Sequence, residues 1–107
     1  MGWTKVADAS ELPPGHAKEV AVGGARVLVC NVGGTVYAVG DVCTHDDGPL
    51  GQGMLEGFEV ECPRHGARFD VRTGKAMCLP AILPIPVYEA KIEGANILVA
   101  ASAPART

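Results

Sequence analysis

Two short segments, each pairing a cysteine with a histidine, constrain what this chain can fold into. The first, Cys43–His45, reads C-T-H, and the second, Cys62–His65, reads C-P-R-H, with sixteen residues between them. Gly48 and Gly66 stand where such loops must turn sharply. A thiolate and an imidazole at these spacings suit a tight loop around a metal centre. The fold must therefore bring both loops to one place.

The mixed composition of the two segments distinguishes between metal sites. Zinc motifs usually place both cysteines in one half and both histidines in the other. A centre of two metal ions, one bound by thiolates and one by imidazoles, takes one Cys and one His from each loop. That is the ligand set of a Rieske [2Fe–2S] cluster. We predict that one such cluster is held by Cys43, His45, Cys62 and His65; a structural zinc site is the alternative.

Length and composition set the limits. A chain of 107 residues with 48% hydrophobic residues fits one domain with a small core. It has no apolar run of eighteen residues that would suggest a membrane span, and its N-terminus lacks the pattern of a secretory signal. A net charge of −3, with scattered basic residues, argues against nucleic-acid binding. We expect a cytoplasmic protein.

The pattern of apolar residues predicts an all-β protein. Gly23-Gly24 and Gly33-Gly34 separate β-branched runs and indicate hairpins. A helical turn is expected only at 9–12, because two prolines follow it, and 101–107 reads as a frayed tail. Strands are predicted at 17–22, 27–31, 35–39, 58–62, 67–71, 87–92 and 97–100.

These elements predict a single domain over 1–107 with two parts. A β base comes from both ends of the chain, about 1–42 and 78–107. A cluster-binding subdomain, about 43–77, is inserted between them and is richer in glycine and charge. Both ligand loops would then lie side by side at one tip.

Further segments give the chain a family resemblance. Together with the ligand loops, G-P-L at 48–50, F-D at 69–70, T-G at 73–74 and the proline-rich run 79–88 resemble the Rieske family. The whole length is similar to the stand-alone Rieske ferredoxins of bacterial aromatic-ring dioxygenase systems. The resemblance implies an antiparallel, β-sandwich-like base, and a proline-bearing loop, here 80–84, that covers the cluster.

The same resemblance implies a function. Such a protein is a soluble one-electron carrier without catalysis of its own. It passes electrons from an NAD(P)H-dependent flavin reductase to a terminal aromatic-ring dioxygenase, by transient docking of the cluster tip. We expect a monomer. The small Rieske-like subunit of an assimilatory nitrite reductase is the second hypothesis, although some of those subunits lack the ligands that are present here.

The chain departs from the high-potential members of the family. Those proteins carry a disulfide between the ligand loops, where this chain has Gly48 and Arg64. They also donate hydrogen bonds to the cluster from Ser and Tyr hydroxyls, where this chain has Ala67 and Phe69. Such bonds stabilise the reduced cluster. We therefore expect a potential near the low end of the Rieske span of roughly −150 to +300 mV.

Four other residues carry expectations. Cys30 lies in an apolar strand and Cys78 lies just before the proline loop, and both are expected to be buried packing residues. Trp3 is expected in the core. Arg68, beside the second loop, is expected to form a local ion pair or a docking contact.

Overall fold

Antiparallel strands make up most of the protein. The computed structural model describes residues 2–43, 48–50, 55–63, 66–79 and 83–100. In chain order the strands are β1 (Trp3–Asp8), β2 (Ala17–Val22), β3 (Ala25–Val32), β4 (Thr35–Gly40), β5 (Leu55–Glu56), β6 (Glu59–Glu61), β7 (Arg68–Asp70), β8 (Ala76–Cys78), β9 (Val87–Tyr88), β10 (Ala90–Glu93) and β11 (Asn96–Ala100).

The strands within these ranges form three sheets. A terminal sheet has the order β1-β11-β10, a middle sheet β2-β3-β4-β9, and a third sheet β5-β6-β7-β8. Every pairing is antiparallel. The all-β prediction is therefore confirmed. The terminal and middle sheets draw strands from both ends of the chain.

Strand β3 belongs to two hydrophobic cores at once. Successive side chains of a strand point to opposite faces of its sheet. Val27 and Val29 lie in a core shared with β1 and β11, whereas Leu28 and Cys30 lie in a core shared with the third sheet and the loops around it. All four are almost fully buried. The middle sheet is thus covered on both faces, which explains why residues 27–30 of β3 form a continuous apolar run.

The hairpin between β3 and β4 forms as its sequence predicts. Gly33 and Gly34 have φ of +63° and +97°, a conformation that side chains disfavour and that two-residue hairpins require. The turn sets the register that pairs Val29 with Ala38 and Cys30 with Tyr37. Cys30 thereby faces the same core as the third sheet.

The strand predicted at 87–92 is two strands in different sheets. Val87 and Tyr88 pair with β4 in the middle sheet, and Ala90 begins the pairing with β11 in the terminal sheet. Glu89 lies between them, and its carbonyl accepts a hydrogen bond from Ala100 N–H at 2.9 Å. A segment whose sequence reads as one continuous strand does not show where the chain leaves one sheet for another.

The expectation for Trp3 is wrong. Trp3 begins β1, a strand the sequence pattern did not predict, and its side chain is 41% exposed. The Lys91 ammonium lies 4.3 Å from the centre of the indole ring. A cation over the face of an indole ring is a favourable arrangement at a protein surface. This contact stabilises Trp3 outside the core.

The remaining differences concern short elements. Strands β5 and β8, of two and three residues, were not predicted, because a segment so short cannot show the alternation of apolar and polar residues that marks a strand. The helical turn is confirmed as a 3-10 helix at Ala9–Glu11. Within the described ranges, no helix is long and apolar enough to cross a membrane. The predicted tail, 101–107, lies outside the described residues.

Gly74 fixes the chain that leads back from the third sheet to the base. Its carbonyl accepts a hydrogen bond from Ile85 N–H at 2.8 Å, and its φ is +78°. A Cβ at Gly74 would overlap the carbonyl oxygen of Ile85, whose side chain is fully buried.

We predict that Gly74→Ala lowers the free energy of unfolding strongly, as measured by urea denaturation. The left-handed backbone costs an alanine roughly 1–2 kcal/mol, and the overlap adds about 1–3 kcal/mol. Gly94→Ala is the matched control, because Gly94 has φ +63° but open space around its Cβ position. Equal losses for the two variants would show that the contact with Ile85 does not matter.

Candidate functional site

Cys43 begins the first ligand loop with its thiol buried. The side chain is fully inaccessible, and Cys43 N–H donates a hydrogen bond to the Gly48 carbonyl at 2.7 Å. This bond closes the loop around 44–47. Those four residues, including His45, lie outside the described residues, so the position of the first predicted imidazole is not part of the structure.

Cys62 begins the second ligand loop directly after β6. Its N–H donates to the Ala67 carbonyl at 2.7 Å, and its carbonyl accepts a hydrogen bond from Gly66 N–H at 3.0 Å. Gly66 has φ +75°, which makes the sharp turn that the sequence predicted at this position. Arg64 and His65 lie outside the described residues.

The two thiols of the predicted ligand set belong to one buried cluster. Cys43 and Cys62 are 0% and 1% exposed, and both pack in the core that contains Leu50, Phe69 and Ile85. All four cysteines of the chain are free thiols. Two buried, unoxidised thiols at the starts of two tight loops are the donors that an iron–sulfur centre requires. The described half of the donor set therefore fits a [2Fe–2S] cluster.

Cys30 lies in the same core but has different chemistry. Burial, together with the negative charge of Asp41, raises the pKa of its thiol to about 12. A thiol with so high a pKa stays protonated and is inert. The expectation that Cys30 is a packing residue is confirmed.

The expectation for Cys78 is wrong. The residue ends β8 with an exposed side chain, and its Sγ lies 3.5 Å from the Gly66 carbonyl, to which the thiol donates. Because Gly66 closes the second ligand loop, this contact places the end of β8 beside that loop. In the sequence, the feature that indicated this closeness to the ligand loop was the position of Cys78 directly before the proline loop.

The residues that replace hydroxyl donors are both in the core beside the thiols. Ala67 and Phe69 are fully buried in the cluster that holds Cys43 and Cys62. Neither side chain offers a hydrogen-bond donor. The predicted low potential stays a prediction.

An aromatic and ionic contact joins the third sheet to the middle sheet. The Arg72 guanidinium lies 3.9 Å from the centre of the Phe58 ring, and Phe58 meets Tyr37 of β4 edge-on at 6.0 Å. Arg72 also donates to Asp70 from Nε at 3.1 Å and from Nη2 at 2.9 Å. These hydrogen bonds hold the pKa of the buried Asp70 carboxyl below its usual range.

Arg68 forms local ion pairs, which is one of the two roles that the sequence predicted for it. Its guanidinium lies 2.9 Å from Glu56, 3.4 Å from Glu59 and 3.1 Å from Glu61, measured between nitrogen and carboxylate oxygen. Three carboxylates around one cation leave this face of β5–β7 acidic. Arg68 is therefore committed to the third sheet and is not a free cation for docking.

Large apolar side chains are exposed around the end of β8. Leu79 is 75% exposed, Leu83 60% and Met77 44%. They flank the segment 80–82, which belongs to the predicted cover loop and lies outside the described residues. Exposed apolar side chains gathered in one stretch of a small protein are typical of an interaction surface.

The comparisons with known proteins agree with this arrangement. Residues 2–89 match the Rieske [2Fe-2S] domain. The chain is 44% identical over 99 residues to the ferredoxin component of biphenyl 2,3-dioxygenase from Rhodococcus jostii, covering 92% of each chain. It is 39% identical over 98 residues to the ferredoxin component of the naphthalene 1,2-dioxygenase/salicylate 5-hydroxylase systems of Ralstonia, covering 92% of this chain and 94% of that one.

Solved structures give the same result. The ferredoxin of carbazole 1,9a-dioxygenase from Nocardioides aromaticivorans superposes with a TM-score of 0.92 at 38% identity, covering 95% of this chain and 100% of that one. A complex of reduced oxygenase and oxidised ferredoxin in carbazole 1,9a-dioxygenase gives 0.91 at 37% identity, covering 97% of each chain.

Three antiparallel sheets and two thiol-bearing loops that converge on one core define a small iron–sulfur protein of the Rieske type. The chain belongs to the Rieske [2Fe–2S] family. Within that family it is a ferredoxin, an electron carrier that binds a [2Fe–2S] cluster, and not a catalytic oxygenase.

We predict that Asp70→Asn destabilises the protein at neutral pH and that the loss disappears in acid. A lowered folded pKa means that the carboxylate stabilises the fold above its ordinary pKa of 3.8, and that this stabilisation is lost as pH falls through the lower folded value. Urea unfolding of the wild type and of Asp70→Asn, from neutral pH to below the ordinary pKa of 3.8, measures the difference between their free energies of unfolding.

Glu93→Gln is the control for this measurement. Glu93 forms an exposed pair with Lys91 at 3.5 Å, and exposed pairs contribute little to stability. A loss for Asp70→Asn that does not change with pH would contradict the ionic contribution of Asp70.

Proposed function

We propose that Cys43, His45, Cys62 and His65 hold the [2Fe–2S] cluster, with the two thiolates on one iron and the two imidazoles on the other. The burial of Cys43 and Cys62 in one core, each at the start of a hydrogen-bonded loop, supports this assignment. When bound, the cluster supplies reversible one-electron chemistry at a potential above that of plant-type ferredoxins. The protein holds the thiolates in place and excludes water from them.

The proposed division of the chain follows from the same assignment. The cluster-binding subdomain takes about 43–77, and the base takes about 1–42 and 78–107. The third sheet, which runs from Leu55 to Cys78 and contains the second ligand loop, supports this division. The subdomain packs on the base through the core face of β3 and through the contact of Phe58 with Tyr37.

The protein carries single electrons from an NAD(P)H-dependent flavin reductase to a terminal aromatic-ring dioxygenase in the cytoplasm. The observation that carries this proposal is the paired buried thiols in a chain whose relatives are named as ferredoxin components of biphenyl and naphthalene dioxygenase systems. The same relatives favour a ferredoxin over the subunit of a nitrite reductase and over a zinc module. The aromatic substrate is set by the oxygenase.

Docking takes place at the cluster tip, between single copies of the carrier and each partner. Met77, Leu79 and Leu83 supply an apolar surface there, and the contact of Cys78 with Gly66 places that surface beside the second ligand loop. A structure named as a complex of oxygenase and ferredoxin shows that a relative binds its oxygenase directly. A small surface of this kind suits the brief encounters of redox partners.

We predict that His65→Cys lowers the reduction potential of the assembled cluster. A thiolate donates more electron density to iron than a neutral imidazole does, so the oxidised state is favoured. Protein-film voltammetry measures the shift. His16→Cys is the matched control, because His16 is exposed in a loop of the base and should leave the potential unchanged. An unchanged potential in His65→Cys would refute the ligand assignment.

We predict that Leu79→Glu slows electron transfer to the terminal oxygenase of a biphenyl dioxygenase system roughly tenfold, the effect of losing one apolar contact in an interface. Stopped-flow mixing of reduced carrier with oxidised oxygenase measures the rate, and the reduction potential should not change. Ile92→Glu is the control, since Ile92 is 40% exposed on the terminal sheet. Equal rates for both variants would place the docking surface elsewhere.

A further inference from the structure

The two ligand loops are held by different kinds of contact. The hydrogen bond between Cys62 N–H and the Ala67 carbonyl closes the second loop. Beyond this bond, the chain on both sides of the loop forms the antiparallel pair of β6 and β7. In that strand pair Glu61 lies opposite Arg68, and Val60 lies opposite Phe69. Backbone hydrogen bonds of a strand pair therefore fix both ends of the second loop, and the ion pair between Arg68 and Glu61 adds to them.

The first loop has no such strand pair. A hydrogen bond between Cys43 N–H and the Gly48 carbonyl closes this loop. The residues next to that bonded pair, 41–42 and 49–50, belong to no strand. Where the next backbone hydrogen bond of a strand pair would be, a side chain makes the contact instead. The Asp41 carboxylate accepts a hydrogen bond from Leu50 N–H at 2.8 Å. This buried contact joins the two ends of the first loop where a strand pair would join them.

Asp41 is itself fixed to the base. Its N–H donates to the carbonyl of Arg26 in β3 at 3.0 Å, and the residue before it, Gly40, donates to the Pro86 carbonyl at 2.8 Å. Asp41 is only 3% exposed. Its partner Leu50 is fully buried in the core that contains Cys43 and Cys62. The carboxylate thus connects the middle sheet to the far end of the first loop.

We infer that Asp41 is the positioning residue of the first ligand loop: by accepting the Leu50 hydrogen bond, it holds Cys43 in the place that the cluster requires. The inference rests on the proposal that Cys43 is a ligand. The position is two residues before Cys43 in the sequence, but an acidic residue there shows nothing of its role until the contact with Leu50 is known.

The test compares three variants of the cluster-bearing protein. Asp41→Ala removes the acceptor, Asp41→Asn keeps a side-chain oxygen at the same place, and Val99→Ala weakens the other core, far from the ligand loops in the fold. The rate of cluster loss is followed by visible absorbance in the presence of an iron chelator. Hydrogen–deuterium exchange at the Leu50 amide, measured by mass spectrometry, gives a second readout that does not depend on electron transfer.

We expect Asp41→Ala to lose its cluster roughly tenfold faster than the wild type, the factor that one net buried hydrogen bond is worth. Its Leu50 amide should exchange correspondingly faster. Asp41→Asn should resemble the wild type in both measurements, because its oxygen still accepts from Leu50. Val99→Ala should unfold at lower urea without a faster exchange that is specific to Leu50.

Three results would overturn the inference. They are wild-type rates in Asp41→Ala, rates in Asp41→Asn as fast as those in Asp41→Ala, and equal effects from Val99→Ala. If Asp41→Ala gives no folded protein, the exchange rate of Leu50 in Asp41→Asn decides alone, and fast exchange there contradicts the role. A wild-type protein that binds no cluster would instead defeat the ligand assignment, so the two failures are distinguishable.

Discussion

The burial of the middle sheet on both faces is the constraint on which the rest of the structure depends. Strand β3 places alternate side chains in two cores, one shared with the terminal sheet and one shared with the third sheet and the ligand loops. A shift of one residue in its register would exchange the two sets. The glycine hairpin at 33–34 prevents this, because it fixes how β3 pairs with β4.

The cluster-side core brings together the two thiols of the proposed ligand set. Cys43 and Cys62 enter it from two loops that are held differently, one by a strand ladder and one by the carboxylate of Asp41. Their surroundings are apolar side chains such as Phe69, which donate no hydrogen bonds.

Much of this was predictable from the sequence. The all-β class and the hairpins follow from β-branched runs and paired glycines. The family follows from the spacing of Cys and His together with the other segments that resemble it. Three features did not follow. The chain changes sheet at Glu89 within a segment that reads as one strand, Trp3 lies on the surface under Lys91, and Asp41 holds the first loop. Each depends on contacts between residues far apart in sequence, which periodicity and local propensity do not encode.

The most direct test of the mixed ligand set is a pulsed EPR spectrum of the dithionite-reduced protein, prepared with ¹⁵N-labelled histidine. Ligation by His45 and His65 predicts couplings from two histidine nitrogens, with an average g below that of all-cysteine clusters. Labelled His16 should contribute nothing, because it lies in the base. A red protein whose spectrum shows no nitrogen coupling, or a colourless protein with stoichiometric zinc, would contradict the assignment.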